Sequence, residues 1–215
     1  MDEKREESIC RQTWDLISKI GSVPSQYEGK FQCAADGSPS KDPLLEDLQS
    51  PPRAITSDSD LRACIYERYV HFGGRRYEHE LPDMLPRSDR AVFTHGDIAP
   101  RNIMADENNN ITSIIDWEYA GWYLDYWEYA LILRPAFWGD WSIWMERTAQ
   151  KMGFDWYQCV SQGSILDGIV VLFGLVATFE PPTPDLLCCA YRGACVRLII
   201  LDLPCGATTR YMTIS

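Results

Sequence analysis

The stretch His95-Gly-Asp97-Ile-Ala-Pro-Arg-Asn102 lies between short apolar runs that are typical of β-strands. One run, Ala91–Thr94, precedes it, and two more, 103–105 and 111–115, follow it. The polar segment 106–110 joins the last two runs, and its three asparagines favour a tight turn because asparagine tolerates positive φ. The sequence therefore predicts a β-hairpin directly after this loop.

The loop has the spacing of kinase-type catalytic loops, which place a His, an Asp two residues later and an Asn five residues further on. The predicted hairpin ends at Asp116, where the kinase arrangement has its metal-binding aspartate. Catalysis of phosphoryl transfer is mostly positioning and charge neutralisation. Asp97 could accept or orient the proton of an attacking hydroxyl, while Asn102 and Asp116 would supply oxygen ligands of the kind that Mg²⁺ prefers.

The runs 92–103 and 114–122 resemble the aminoglycoside phosphotransferase family, and most closely its fungal members, which have a protein-kinase-like fold. The motif Tyr126-Trp-Glu-Tyr129 fits the next helix of that family. The resemblance is specific from about residue 88 to about residue 135 and looser before it. It implies an enzyme that transfers the γ-phosphate of ATP to the hydroxyl of a small molecule, with ATP and Mg²⁺ as cofactors.

The resemblance also implies roles for individual residues. Asp97 would be the catalytic base, and Asn102 and Asp116 would be the Mg²⁺ ligands. His95 would brace the loop rather than act as an acid or a base.

Two further residues are candidates for auxiliary roles. Arg101 could contact a phosphate, although a surface ion pair is the simpler interpretation. Glu118 would point to the same side as Asp116 if the segment is extended, and it would then assist a second metal ion. An exposed or ion-paired carboxylate is the alternative for Glu118. Capping and turn roles are the alternatives for Asp97, Asn102 and Asp116.

Most of the remaining sequence has helical periodicity. The predicted helices are 8–20, 57–72, 123–133, 141–152 and 185–203, with a short turn near 78–85. The fold class predicted from this order is α+β and mostly helical. With the family resemblance, it corresponds to the C-terminal lobe of a protein-kinase-like fold, in which a small β-hairpin carries the catalytic and metal-binding loops.

We expect three segments along the chain. Residues 1–87 would form a helical part with a long loop at about 25–56, and residues 88–155 would form the catalytic core. Residues 156–215 would form C-terminal helices that diverge from the family. The apolar stretch 165–179 is too short to span a bilayer, so a buried helix is predicted there.

The sequence lacks the features of an ATP-binding lobe. It contains no G-x-G-x-x-G motif, and its lysines, at positions 4, 19, 30, 41 and 151, do not lie in alternating strands. We therefore expect a C-terminal lobe alone, and the alternative function is an inactive truncated remnant or a lobe that binds a ligand or partner. A metal-dependent hydrolase built on His95, Asp97 and Asp116 is less favoured, because such sites usually contain more histidines.

The amino-acid composition limits the classes of binding partner that we expect. The net charge of −11 argues against binding to nucleic acid and is compatible with a cationic acceptor. Eight cysteines without a C-x-x-C pair, and an N-terminus without an apolar run, predict a cytoplasmic protein with reduced thiols and no membrane partner. An exposed cleft face could drive self-association.

Overall fold

The computed structural model describes residues 3–25, 27, 32–72, 74–75, 79–133, 140–152, 196–200 and 210–214. The described helices are α1 (Glu3–Gly21), α2 (Asp58–His71), α3 (Leu81–Met84), α4 (Trp127–Leu133) and α5 (Trp141–Met152). The described strands are β1 (Cys33–Ala34), β2 (Ala91–Thr94), β3 (Ile103–Ala105), β4 (Ile111–Ile114), β5 (Gly121–Leu124), β6 (Val196–Ile200) and β7 (Arg210–Ile214). The fold is therefore α+β, as the sequence predicts.

The first sheet brings the start of the central loop beside the segment that follows Asp116. Strand β2 pairs antiparallel with β5, and Thr94 lies opposite Gly121. Because β2 leads directly into loop 95–102 and β5 begins shortly after Asp116, the pairing holds both segments at one end of the sheet. Strand β1 pairs with the other edge of β5, so the segment 25–56, predicted as a loop, also contributes a short strand.

Strands β3 and β4 form the hairpin that the sequence predicts, and Ile103 lies opposite Ile114. In its turn, the side chain of Asp106 accepts hydrogen bonds from the backbone amide and the side-chain amide of Asn110, at 2.8 and 3.0 Å. Asn109 adopts a φ of 64°, a left-handed conformation that asparagine tolerates better than most residues. Local side-chain bonding therefore determines the turn.

Helix α1 anchors both the hairpin and α5. The side-chain amide of Gln12 donates to the carbonyl of Asn109 at 2.8 Å and accepts from the amide of Ile111 at 2.9 Å. The buried indole of Trp14 donates to the carbonyl of Met145 on α5 at 3.0 Å. Through Gln12 and Trp14, helix α1 thus sets the position of the hairpin relative to α5.

The helix predicted over 123–133 is wrong at its start. Tyr123 and Leu124 belong to β5, and α4 begins only at Trp127. All four residues of β5 are buried, and the strand has partners on both edges. A fully buried strand has no alternating polar face, so periodicity alone does not separate it from the buried helix that follows.

The helical tail predicted over 185–203 is wrong at residues 196–200, which form β6 and pair in parallel with β3. Their sequence, Val-Arg-Leu-Ile-Ile, is rich in the β-branched residues that favour strands. The rest of this tail and the helix predicted over 165–179 lie outside the described residues. The division into segments 1–87, 88–155 and 156–215 stays a prediction. No described helix has both the length and the apolar content needed to cross a membrane.

Helix α2 follows an N-cap at Ser57 and is tied to α3 by a buried arginine. The Ser57 hydroxyl accepts from the amide of Asp60 at 3.1 Å. One turn later, Arg62 donates to Asp58 at 2.6 Å, to the carbonyl oxygen of Pro86 at 2.8 Å and to that of Leu85 at 3.1 Å. A further carbonyl oxygen, that of Pro82, also accepts from Arg62. The guanidinium of Arg62 thus satisfies acceptors on α2, within α3 and directly after α3.

We predict that Arg62→Met lowers the free energy of unfolding by about 2–4 kcal/mol, because Asp58 and three carbonyl groups lose their charged donor in a buried place. Urea denaturation would measure the loss. The matched control is Arg87→Met, since Arg87 approaches the same Asp58 at 3.5 Å but its side chain is 68% exposed. That control should change stability by less than about 0.5 kcal/mol, and equal losses in the two variants would contradict the prediction.

Candidate active site

Asp97 and Asn102, five residues apart in the central loop, are in direct side-chain contact. The amide nitrogen of Asn102 donates to the backbone carbonyl oxygen and to the carboxylate Oδ2 of Asp97, both at 2.9 Å. Because both neighbours are acceptors, the NH₂ group of Asn102 must face Asp97, which leaves the amide oxygen for another partner. The turn Pro100–Asn102 supports this arrangement through a bond from the Asn102 amide to the carbonyl of Ala99 at 2.9 Å.

Asp116 is connected to this pair through the backbone. The carbonyl of Asn102 accepts from the amide of Ile115 at 2.9 Å, so the residue before Asp116 is bonded to Asn102. Asp116 itself has a φ of 67°, a left-handed conformation that costs a residue with a side chain about 1–2 kcal/mol. Its carboxylate is exposed and makes no hydrogen bond with the described residues. The structure thus bonds the residue before Asp116 to Asn102 and leaves the side chain of Asp116 exposed.

His95 lies underneath the loop and is fully buried. Its Nδ1 accepts from the amide of Asp97 at 3.2 Å, and its Nε2 donates to the carbonyl of Ile115 at 3.1 Å. This pair of partners requires the neutral ring with its proton on Nε2. Burial lowers the pKa of His95, while the nearby charges of Asp97 and Asp116 oppose that shift. These are the contacts of a bracing residue.

Of the two auxiliary candidates, Arg101 lies in an ion pair and Glu118 is exposed. Arg101 forms an ion pair, but its partner is the carboxylate of Asp97, whose side chain is only 5% exposed. The argument for Glu118 required an extended segment after Asp116. Instead, Asp116 is left-handed, and a turn closed by a bond from the Ala120 amide to the Trp117 carbonyl contains Glu118. The predicted orientation of Glu118 beside Asp116 therefore has no support from an extended backbone.

Glu128 is the residue whose importance sequence reasoning missed. It lies on α4 and is only 4% exposed. Its Oε2 accepts from the backbone amides of His95 at 2.6 Å and Gly96 at 3.2 Å, while Oε1 is buried without a hydrogen-bond partner among the described residues. Burial raises its pKa to about 7, and the two amides oppose the rise. The signal in the sequence was an acidic residue among the aromatic residues of motif 126–129. Such neighbours indicate burial, and a buried acidic side chain needs a specific partner.

Gly96 allows the loop to pass close to the segment after Asp116. Its φ of 86° lies in the region that favours glycine. A Cβ atom at this position would lie 2.7 Å from the carbonyl oxygen of Tyr119. The close approach of two backbones therefore requires glycine directly before Asp97.

An apolar surface lies beside Asp116. Ile115 and Trp117 are exposed large hydrophobic residues. The indole of Trp117 donates to the carbonyl of Ile114 at 2.9 Å, and the centroids of the Trp117 and His95 rings are 4.5 Å apart in an edge-to-face arrangement. An exposed apolar face next to the candidate site was expected, and the self-association that it could drive stays a prediction.

Comparison with known proteins agrees with this geometry. The model of the phosphotransferase enzyme family matches residues 2–159. The chain belongs to this family. The match confirms the resemblance to the aminoglycoside phosphotransferases and extends it over both the helical part and the central loop. Searches of curated proteins and of solved structures found no significant match.

The donor atoms of the site suit a hard divalent cation. Asn102 has an amide oxygen turned away from Asp97, and Asp116 has an exposed carboxylate, which are the ligand types that Mg²⁺ takes alongside water. Within the described part of the chain, no three His, Cys, Asp or Glu residues are grouped as a metal site would require. Both ring nitrogens of His95 are bonded to the backbone, which argues against the hydrolase alternative, in which His95 would be a ligand.

We predict that Gly96→Ala lowers the free energy of unfolding by about 1–3 kcal/mol, because the added methyl group meets the Tyr119 carbonyl in a left-handed backbone. Urea denaturation would measure this change in the free energy of unfolding. Gly21→Ala is the matched control, since its Cβ would meet nothing nearer than 3.8 Å. A loss in Gly96→Ala no larger than that in Gly21→Ala would refute the proposed constraint.

The buried carboxyl of Glu128 should make stability depend on pH. Its pKa rises from 4.5 to about 7 on folding, so between these values the folded chain keeps a proton that the unfolded chain releases. Stability contributed by this group therefore falls as the pH rises through that window. Relative to Glu128→Gln, the free energy of unfolding of the unmodified chain should decrease by on the order of 3 kcal/mol across it. Chemical denaturation at a series of pH values would test this, and parallel curves would exclude it.

Proposed function

We propose that this chain transfers the γ-phosphate of ATP to a hydroxyl group of a small molecule. The observation that carries the proposal is the contact between Asp97 and Asn102, with Asn102 bonded through Ile115 to the segment of Asp116. In a member of the phosphotransferase enzyme family, this arrangement supports one carboxylate for the acceptor hydroxyl and two oxygen ligands for Mg²⁺.

Each residue has a distinct task in the proposed reaction. Asp97 orients the acceptor hydroxyl and takes its proton, which requires a carboxylate held in a fixed position. His95 and Glu128 supply that position, because they bond the loop backbone from two sides. Asn102 and Asp116 would hold Mg²⁺. When bound, this ion would neutralise charge on the phosphate oxygens.

The protein-kinase-like C-terminal lobe is part of the proposal. Its support is the chain order of β2, the central loop, the β3–β4 hairpin and Asp116, which agrees with the order expected from the sequence and the resemblance. The net charge of −11 supports an acceptor that carries positive charge, and a cytoplasmic location agrees with the reduced thiols of Cys10 and Cys64.

A second candidate function is a lobe that binds a ligand or partner without catalysis. It is favoured by one sequence observation: no lysine occurs between Lys41 and Lys151, so this part of the chain offers no lysine for the α- and β-phosphates. The two functions differ in whether phosphate is transferred, not in whether Mg²⁺ and nucleotide bind.

We predict that Asp97→Asn reduces ATP-dependent phosphorylation by about 10²–10⁴-fold, because the acceptor hydroxyl loses its base. Asn102→Ala and Asp116→Asn should instead raise the Mg²⁺ concentration needed for half-maximal rate. The assay is ADP release with a panel of hydroxylated amines, including aminoglycosides, as acceptors.

The control for this series is Asp83→Asn, since Asp83 is an exposed aspartate on α3. Thermal unfolding of each variant separates loss of chemistry from loss of fold. Full activity in Asp97→Asn would exclude the proposed base. Binding of Mg²⁺ and nucleotide without turnover in the unmodified chain would favour the second candidate function.

A further inference from the structure

The carboxylate of Asp97 can rotate about its side-chain torsions even when the backbone of the loop is fixed. Glu128 and His95 accept hydrogen bonds from the backbone amides of residues 95–97, so they determine where the Cα atom of Asp97 lies. The direction of the carboxylate depends instead on contacts of the side chain itself. A rotating carboxylate would meet the acceptor hydroxyl in the productive geometry only part of the time, and the rate depends on that geometry.

Two side chains from the same loop converge on one oxygen of this carboxylate. Oδ2 of Asp97 accepts from the side-chain amide of Asn102 at 2.9 Å and also from Nη2 of Arg101. The two donors lie five and four residues after Asp97, and the turn Pro100–Asn102 brings them back toward it. Because rotation of the carboxylate would break both bonds, the two donors hold it in one orientation.

The guanidinium of Arg101 is a fixed part of the loop. Its Nη2 atom bonds Asp97, and its Nη1 atom is buried. Its backbone lies in the turn 100–102, where Pro100 restricts φ and the Ile103 amide donates to the Pro100 carbonyl. The carboxylate of Asp97 is only 5% exposed, so the pair is shielded from water and its attraction is stronger than that of a surface pair.

Arg101 also balances charge in an acidic part of the chain. Between residues 91 and 133 it is the only lysine or arginine, against seven aspartates and glutamates. The charges of Arg101, Asp97 and Asp116 all act on the ring of His95, so the cation shares one neighbourhood with both carboxylates. Like charges repel, which favours orientations of the Asp97 carboxylate that point away from Asp116. Arg101 opposes this repulsion before Mg²⁺ or substrate binds.

We propose that Arg101 is a positioning residue that holds the carboxylate of Asp97 in one orientation for catalysis, and the inference rests on the proposed function. Arg101 acts through Asp97 and not on the transferred group. In that reaction the acceptor oxygen forms a bond to the γ-phosphorus, and the bond to the β–γ bridging oxygen breaks with its electron pair leaving on ADP. The hydroxyl proton passes to Asp97, whose carboxylate must already face the acceptor.

The kinetic test compares Arg101→Gln and Arg101→Lys with the matched control Arg11→Gln. Arg11 is exposed and pairs with Glu7 at the same four-residue spacing on α1. Arg101→Gln should lower kcat about tenfold or more and change the KM for ATP less than about threefold, because a displaced base slows the chemical step without removing contacts to ATP. Arg101→Lys restores the charge without the planar fork and should recover part of the rate. A kcat in Arg101→Gln within about twofold of the Arg11→Gln value would overturn the inference.

A double-mutant cycle separates positioning from a general structural role. If Arg101 acts through Asp97, adding Arg101→Gln to Asp97→Asn should lower kcat by less than about twofold, although the same substitution costs about tenfold in the unmodified chain. Equal losses in the two backgrounds would show that Arg101 acts elsewhere and would contradict the inference. Thermal unfolding gives the folded fraction of every variant, and each rate is divided by that fraction.

Crystal structures of the same variants provide a test that needs no turnover. In the unmodified chain and in Arg11→Gln, the carboxylate of Asp97 should occupy one orientation, with Oδ2 bonded to Asn102. In Arg101→Gln it should be displaced or divided between two conformers, because one donor and the nearby positive charge are lost. A single, unchanged orientation in Arg101→Gln would refute the inference.

The proposed function and the inference fail in different ways. If the unmodified chain transfers no phosphate but Arg101→Gln releases the carboxylate of Asp97, the proposed function is wrong and the orienting contact is supported. If transfer proceeds and Arg101→Gln leaves kcat unchanged, the inference is wrong and the proposed function stands.

Discussion

The position of the catalytic loop depends on one buried carboxylate. Glu128 on α4 accepts the amides of His95 and Gly96, the two residues directly before Asp97. A buried charge is costly unless its partners are fixed, so the bond couples the packing of α4 to the shape of the loop. Gly96 completes the constraint, because only a residue without Cβ can approach the Tyr119 carbonyl so closely. The orientation of Asp97 is thus determined from outside the loop.

From Glu128, a series of contacts runs through the loop to the candidate metal ligands. His95 bonds Asp97 on one side and Ile115 on the other, and Asn102 bonds the same two residues through its side chain and its carbonyl. Two residues therefore connect Asp97 to the end of the hairpin, His95 by two hydrogen bonds and Asn102 by three. This redundancy is what a phosphotransferase needs, since its catalysis depends on fixed geometry more than on covalent chemistry by the protein.

Local patterns predicted the fold where the signal lies within a few neighbouring residues. The turn at 106–110 follows from asparagines and an aspartate that bond their own backbone, and α2 begins directly after Ser57, whose hydroxyl caps the helix. The start of α4 was misplaced, since Tyr123 and Leu124 are buried in a strand whose partners on both edges, β1 and β2, are distant in sequence. Periodicity contains no information about a partner strand that lies tens of residues away.

For the site, the amino-acid sequence alone supplied the candidate residues Asp97, Asn102 and Asp116, because their spacing along the loop and the hairpin is itself the signal. It did not supply Glu128, whose partners lie about thirty residues earlier in the chain. Nor did it show that Arg101 pairs with Asp97, since that depends on how the turn Pro100–Asn102 directs the side chain. The spacing of residues can be read directly from the sequence, whereas burial and ion pairs form only when the chain packs into its tertiary structure.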